Sequence, residues 1–412
     1  MPGAEERCGR IRPRWEAGRN NRKDRSSEPG ATPRAPEECA QAPSCRQPLP
    51  VQNKRERRVG RPPMRTGDAG HKMQDRYPSG GSHDPREETR MNLTKTLKAT
   101  VAAAALALTA VPASAADIAV IAGSIEDGFF NLIKKGVDDA TLVVEANGGS
   151  VNYLRTPNYD NFGPDLVNLI NQAVAQGVDG IAIPVWVPEA QVPALQKAAE
   201  QGIKIMMYNS GLDVKEDIFG INYFGSDEFV AGEAGGRYMA EQGAQKILCH
   251  IHTPGAVNHE ARCGGVEKGG TEAGAEVVIL RTPANLDGDI TGLAEAIKSE
   301  LVADQSFDAV ISLSASSADA STNAVQQIGA GDRVMVGAFD LSEAALNRIQ
   351  AGTQKMAIDQ LPYLQGFLAT SMLAAHIDFG TELATDPVLT GPAIVDASNI
   401  ETALAGVSAG AR

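Results

Sequence analysis

The chain has 412 residues and a formal net charge of −13, from 38 Lys and Arg against 51 Asp and Glu, but that charge is spread unevenly. Residues 1–90 carry 20 basic and 13 acidic side chains, residues 91–115 add two lysines, and residues 116–412 hold 16 basic against 38 acidic, a balance of −22. So acidic a body repels phosphate backbones and anionic lipid, which argues against nucleic acid and membrane surfaces as partners and leaves a small molecule or a protein.

Residues 1–90 are rich in Arg, Pro, Gly and Ser, as in Arg55-Glu56-Arg57-Arg58-Val59-Gly60-Arg61-Pro62-Pro63, and lack apolar residues at a period of two or 3.6. Such a segment cannot bury enough surface to fold, and we expect a disordered leader upstream of a misassigned start. The expected true start is Met91, because it opens a segment that works only near an N-terminus. Two lysines in Met91–Lys98, an apolar stretch from Ala99 to Val111 and the small-residue end Pro112-Ala113-Ser114-Ala115 make the three parts of a secretory signal peptide over 91–115. The apolar run is too short to span a bilayer. No Cys lies beside the expected cut after Ala115, so we expect no lipid anchor and a soluble periplasmic product.

Strand-like apolar runs then alternate with amphipathic helical stretches. Runs at 118–122, 151–154, 180–184 and 203–208 are interleaved with helices over about 129–147, 164–176 and 188–201, the last ended by Gly202 as a C-cap. The pattern restarts with runs at 246–251, 277–280, 309–313 and 334–337, separated by helices near 259–274, 288–303 and 317–329 and succeeded by one near 342–350. Continuous apolar strands alternating with helices imply an α/β fold whose parallel sheets are covered on both faces, and two consecutive sets imply two similar lobes. Ligands on such sheets bind beyond the C-terminal strand ends.

The residues after the strands are therefore the ones to weigh. After the first come Gly123-Ser124-Ile125-Glu126-Asp127-Gly128-Phe129-Phe130, and after the third Pro184-Val185-Trp186, whose indole offers a flat apolar face and one N–H donor. Asn209-Ser210 come after the fourth. The second set supplies His252, Asn258, His259, Glu260 and Arg262, then Ser312, Ser314, Ser316 and Ser317, then Phe339-Asp340, with Gln360 after the run 356–359. Amides, hydroxyls, one Arg, a few acids and aromatics suit a neutral polyhydroxylated ligand, whose hydroxyls both donate and accept while rings cover its C–H faces. No GxSxG, Walker, HExxH or GxGxxG pattern marks an enzyme. His250, His252 and His259 lack the carboxylate spacing of a metal set, and Glu126 and Asp127, being adjacent, point apart rather than forming an acid–base pair. Cys249 and Cys263, the two cysteines of the body, either pair as a disulfide in an oxidising compartment or stay as buried thiols.

Four places carry a family likeness: Phe129-Phe130; Asn258 to Gly265, with Arg262 shortly before a Gly; Val336-Gly337-Ala338-Phe339-Asp340; and Asp359-Gln360-Leu361-Pro362-Tyr363-Leu364-Gln365-Gly366. In order and spacing, over about residues 117–400, they resemble the periplasmic sugar-binding proteins of the ribose-binding type (type 1 periplasmic binding proteins), the soluble receptors of ABC importers. The resemblance implies two Rossmann-like lobes with parallel sheets joined by a three-crossing hinge near 222–225, 359–362 and 388–391. Lobe I would be 116–222 plus 362–388, and lobe II 223–361 plus 389–412. It implies a pocket of Asp127, Phe129, Phe130, Asn209, Ser210, Arg262, Ser314, Asp340 and Gln360, to which the residue reading adds Trp186. The chain departs from the ribose pattern at Asn209-Ser210, where an Asp-Arg pair is usual, and at Ser314-Ala315, where an Asn-Asp pair is usual. Another pentose, a hexose, a polyol or a less hydroxylated ligand fits as well. The lac-type repressors share the fold but begin with a helix-turn-helix, where this chain carries its signal peptide.

The expected function is that of a periplasmic, monomeric substrate-binding protein of an ABC sugar importer, without catalysis, cofactor or metal. It would capture a neutral monosaccharide or polyol by hinge closure and dock on a membrane permease. The alternative is a periplasmic sensor that delivers a small molecule to a chemoreceptor or kinase.

Overall fold

Short strands, the central ones almost unbroken in apolar character, make both sheets of the computed structural model, which describes residues 115–412. The expected leader, and all but the last residue of the expected signal peptide, lie outside the described residues. The first sheet contains β1 (Asp117–Ala122), β2 (Ser150–Arg155), β3 (Gly180–Ile183), β4 (Lys204–Tyr208), β5 (Gly220–Ser226) and β11 (Val388–Gly391). Their order is β11-β5-β4-β3-β1-β2, and every pairing is parallel. The second sheet contains β6 (Lys246–Ile251), β7 (Glu276–Arg281), β8 (Ala309–Ser312), β9 (Met335–Phe339), β10 (Met356–Asp359) and β12 (Ala393–Val395). It repeats the same order as β12-β10-β9-β8-β6-β7, with β12 alone antiparallel. The expected α/β class with two parallel-sheet lobes is what the chain forms.

Helices α1 (Phe129–Ala146), α2 (Phe162–Gln176) and α3 (Pro188–Glu200) cover the first sheet, and α9 (Pro362–Phe379) returns to it from the far end of the chain. Helices α4 (Glu228–Glu241), α5 (Val257–Glu272), α6 (Ile290–Ala303), α7 (Ala315–Gln327), α8 (Glu343–Ala351) and α10 (Ile400–Ser408) belong to the second. Strand periodicity shows directly in β6: Ile247, Cys249 and Ile251 enter the core shared with α4 and α5, while Leu248 enters the core shared with α6 and α7. Among the described residues no helix is long and apolar enough to cross a membrane.

Each lobe has one helix pair packed backbone against backbone. A Cβ on Gly232 of α4 would overlap the carbonyl of Arg262 in α5, and one on Gly265 the carbonyl of Phe229. In the first lobe Gly136 of α1 and Gly366 of α9 stand in the same relation to Tyr363 and Ile133. Helix α4 has no counterpart among the expected elements because Gly232, Gly235 and Gly236 depress its helix propensity. The glycines that obscure the helix in the sequence are the ones its packing requires.

The chain crosses between lobes three times. The expected crossings near 222–225 and 388–391 fall inside strands, because β5 keeps its pairing with β4 and β11 through Tyr223, Phe224 and Ser226, and β11 itself runs to Gly391. The crossings instead come after Ser226, where the Asp227 side chain caps α4 by accepting from the Val230 N–H, and after Gly391. The third passes through Gln360 and Leu361 between β10 and α9. Cys249 of β6 and Cys263 of α5 are joined by a disulfide, which resolves the alternative left open by the sequence. Closing so short a loop is worth about 3 kcal/mol, and the loop it closes carries His252, Asn258, His259 and Arg262.

Candidate functional site

A cavity of about 570 Å³ opens where the loops after β1, β3, β6, β8 and β9 converge. That is the expected place on two sheets whose strand order reverses beside β1 and beside β6. Of the expected pocket residues, all but Ser210 line it.

The first lobe supplies an aromatic wall. Arg155, at the end of β2, donates to the carbonyls of Gly123, Ser124 and Asp127 and to the Asn131 side chain, so the loop after β1 is braced from behind. Asp127 folds back to accept from the Phe129 N–H at 3.0 Å and the Tyr159 hydroxyl at 2.8 Å. Burial raises the Asp127 carboxyl above its ordinary range, opposed by those hydrogen bonds. Phe130 packs edge-on against Phe129 and Trp186, Trp186 lies 5.2 Å from Phe162, and Phe162 meets Tyr159 at 4.9 Å. Offset and edge-to-face pairs of this kind favour a fixed arrangement.

Asn209 adopts a left-handed backbone (φ 63°), with its N–H bonded to the Phe224 carbonyl. That turn throws the next residue backwards. Ser210 is fully buried and donates to the Val185 carbonyl, so its expected place in the cavity is corrected. The expected free donor of Trp186 is also occupied, since Nε1 gives its proton to Asn209 Oδ1 at 3.2 Å. The indole contributes its ring surface only.

The second lobe supplies a polar wall centred on Arg262, which is 2% exposed. Its Nε donates to Glu228 Oε2 at 2.5 Å, its two terminal nitrogens to the Leu313 carbonyl at 3.0 Å and Gln360 Oε1 at 2.7 Å, and its plane lies 4.4 Å from the Phe339 ring. Each nitrogen of the guanidinium thus has one partner before any ligand arrives, which fixes its plane. Gln360 passes the network on by donating Nε2 to Asp340 Oδ1. Burial pushes the Asp340 carboxyl up to about 7, against the opposing pull of Arg262 and the Gln360 hydrogen bond. Like Asn209, Asp340 sits just past a strand end in a left-handed conformation (φ 68°). Ser314 lines the cavity as the N-cap of α7, its hydroxyl engaged in a reciprocal capping box with Ser317.

The walls meet at two places. Gln365 of α9 ties the lobes through the middle crossing, donating to the Gln360 carbonyl at 2.9 Å and accepting from Asn209 at 3.3 Å. Across the cleft itself, the Val257 N–H donates to the Trp186 carbonyl at 3.0 Å. The cavity is acidic: Glu126, Asp127, Asp287, Asp319 and Asp340 line it, while among its described lining residues Arg262 alone is cationic, and Glu228 neutralises it.

Two lobes of like topology, three crossings and a cleft faced by strand-end loops form the frame of a ligand-closing receptor. The family model described as periplasmic binding protein domain matches residues 118–382. The chain belongs to the periplasmic binding protein family. This periplasmic binding protein is 25% identical over 287 residues to the xylose/arabinose-binding protein XylF of Sulfolobus acidocaldarius, covering 66% of this chain and 69% of that one. It is 31% identical to a carbohydrate transporter from Acidothermus cellulolyticus 11B solved in complex with myo-inositol, with a TM-score of 0.65 over 72% of this chain and 99% of the other. An ABC transporter solute-binding protein from Burkholderia graminis C4D1M, solved with D-arabinose, shares the fold at 24% identity and a TM-score of 0.61, over 70% of this chain and 97% of that one. The resemblance to periplasmic sugar-binding proteins read from the sequence therefore holds.

Some lining residues went unnoticed. Tyr159 and Phe162 come after β2 and Asp287 after β7, so the strand-end rule applied to every strand would have found them. Glu228 likewise comes just after β5, but nothing local to it signals its pairing with Arg262, 34 residues further on.

Proposed function

We propose that this chain is the extracytoplasmic substrate-binding component of an ABC importer, and that it takes a neutral, polyhydroxylated ring such as a monosaccharide or cyclitol without altering it. The observation that carries the reading is the pairing of walls: aromatic ring faces on one lobe and a charge-compensated fork of Arg262, Gln360 and Asp340 on the other. Such a pair suits a molecule with C–H faces and hydroxyl edges. The acidic lining disfavours sugar phosphates and sugar acids. That a relative 31% identical is bound to myo-inositol, and that XylF is named for xylose and arabinose, supports the same class. Closure about the crossings at 226–227, 359–362 and 391–393 would bring the walls together, driven by the ligand's higher affinity for the closed form. Micromolar capture needs about 8 kcal/mol net.

Trp186 makes the reading measurable. Titrating the full chain with myo-inositol, D-xylose, D-arabinose and D-ribose should change tryptophan emission for at least one, and Trp186→Phe should abolish the change, which separates it from Trp15. The same ligand at a hundredfold its Kd should stabilise the protein by about 2.7 kcal/mol. A panel that moves neither emission nor Tm would overturn the assignment.

A further inference from the structure

Beside Arg262 the polar wall ends in a cluster that the network above leaves out. His252 and His259 face each other with ring centroids 4.5 Å apart, and Asn258 and His259 occupy the first turn of α5, four and three residues before Arg262. All three line the cavity and are more than nine-tenths buried, at 5%, 8% and 6% exposure for His252, His259 and Asn258. Nδ1 of both imidazoles and Oδ1 of Asn258 have no hydrogen-bond partner in the protein. His250, on the strand behind them and outside the cavity lining, reaches Thr282 Oγ1 through Nε2 at 3.1 Å and leaves its own Nδ1 without a partner, so what sets His252, His259 and Asn258 apart is that they line the cavity. Buried polar atoms are ordinarily paired, and leaving them unpaired is costly, so three orphans on one cavity wall point to a partner that arrives from outside.

The chemistry of the orphans narrows that partner. Burial, with Arg262 close by, pulls His252 down to about 3 and His259 well below its ordinary value, so both rings are neutral at physiological pH. A neutral imidazole offers one N–H and one lone pair, and the Asn oxygen only accepts. A carboxylate or phosphate, which can only accept, leaves the lone pairs and the amide oxygen unanswered. A metal ion cannot be answered by the amide and two rings beside a guanidinium, and among the described residues no group of His, Cys, Asp or Glu is arranged to hold one. Hydroxyl groups both donate and accept.

We propose that His252, His259 and Asn258 form a hydroxyl-recognition subsite, so that the cavity selects ligands carrying free vicinal hydroxyls at this end over deoxy or O-substituted analogues. This rests on the polyol reading and sharpens it. Gln360 links Arg262 to Asp340, and the imidazoles of His252 and His259 lie near the same guanidinium, so this wall asks for hydroxyls at more than one position. A site with such buried groups discriminates strongly, because an analogue lacking the hydroxyl leaves them unpaired.

Isothermal titration of the full chain with myo-inositol, D-xylose, D-arabinose and D-ribose identifies the tightest of the four, whose monodeoxy analogues are then titrated in turn. For the wild type at least one analogue should bind tenfold or more weakly than its parent. In His252→Leu and His259→Leu that gap should close, because the parent loses affinity while the deoxy analogue does not. The ligand-free Tm of these variants should be unchanged or higher, since a partnerless polar group has been removed from the interior. Parent binding as tight as wild type, or a Tm that falls in step with affinity, overturns the subsite. Imidazole 15N shifts of the unmutated protein give a second reading: those of His252 and His259 should move on saturation while that of His376 stays, and unmoved shifts overturn the proposal whether or not the variants fold. A wild type that binds none of the four sugars removes the polyol reading and this inference together; binding without the histidine effects removes this inference alone.

Discussion

The two walls of the cleft are opposite solutions on the same backbone. Both lobes place a left-handed residue after the equivalent strand, Asn209 after β4 and Asp340 after β9, and both hold their flanking helices together through glycines at backbone contact. On the first lobe these positions serve rings that belong to the hydrophobic core, Phe130 and Trp186 each being 4% exposed. On the second they serve a buried ion pair and its hydrogen-bonded extension through Gln360. The aromatic wall is stable without a ligand and gains little from losing one side chain's polarity. The polar wall is a chain of dependencies, so the same kind of mutation should have much larger effects there.

Breaking that chain at its centre should give the largest effect. Arg262→Leu leaves Glu228 buried without its cation, a situation that costs about 3–5 kcal/mol of stability, and affinity for the ligand should fall by at least about a hundredfold. Adding Glu228→Leu should return most of the lost stability, since a buried pair replaced by apolar residues is often neutral, yet leave binding lost. Urea melts and titration calorimetry on the single and double variants check this; a double variant as unstable as the single would mean that the pair is not coupled as the geometry indicates.

The pH dependence of stability should single out one residue of the polar wall. Because the folded Asp340 carboxyl titrates at about 7 instead of its ordinary 3.8, the folded protein keeps a proton that the unfolded chain releases between those values. The contribution of Asp340 to stability therefore falls as pH rises from about 4 to about 7, by up to about 4 kcal/mol at ~1.4 kcal/mol per unit. His250 and His252, both pulled down to about 3 by burial, act in the opposite sense and add stability as pH rises from about 3 to 6.5. Asp340→Asn removes only the first contribution, so the variant should gain on the wild type steadily across pH 4–7 and by a constant amount above it. Thermal melts at intervals over pH 4–8 would show parallel curves if Asp340 were ionised throughout.

Much of this was legible in the sequence because it depends on local pattern. The continuous apolar strands β1, β3, β4, β6 and β8 were visible as such, and the rule that chemistry lies just past strand ends found Asp127, Trp186, Arg262 and Asp340 together. What was not legible depends on backbone handedness and distant pairing. Nothing in Asn209-Ser210 announces that a positive φ at Asn209 sends the Ser210 hydroxyl to Val185 instead of the cavity. Nothing local in Glu228 announces Arg262, and α4 is hidden by the glycines that let it approach α5. The crossings near 222–225 and 388–391 were expected too early because β5 and β11, neither of them singled out in the sequence, run on through those positions by pairing with each other.

The smallest expected effect tests a hydrogen bond that joins the walls directly. Val257 opens α5, where the N–H finds no partner within its own helix and instead donates to the Trp186 carbonyl of the opposite lobe. Proline is well suited to that first helical position, and the preceding residue, Ala256, already has the extended conformation (ψ 118°) that a proline requires before it. Val257→Pro therefore deletes the cross-cleft bond and leaves the helix start intact, so ligand-free stability should hardly change. The closed form should lose about 0.5–1.5 kcal/mol, which at ~1.4 kcal/mol per tenfold is a weakening of about 2- to 12-fold. Because the bond exists only when the lobes touch, the loss should lie in faster dissociation, with association nearly unchanged, and stopped-flow Trp186 emission can separate the two. Unchanged dissociation would mean that the walls are held together through Gln365 and the middle crossing alone.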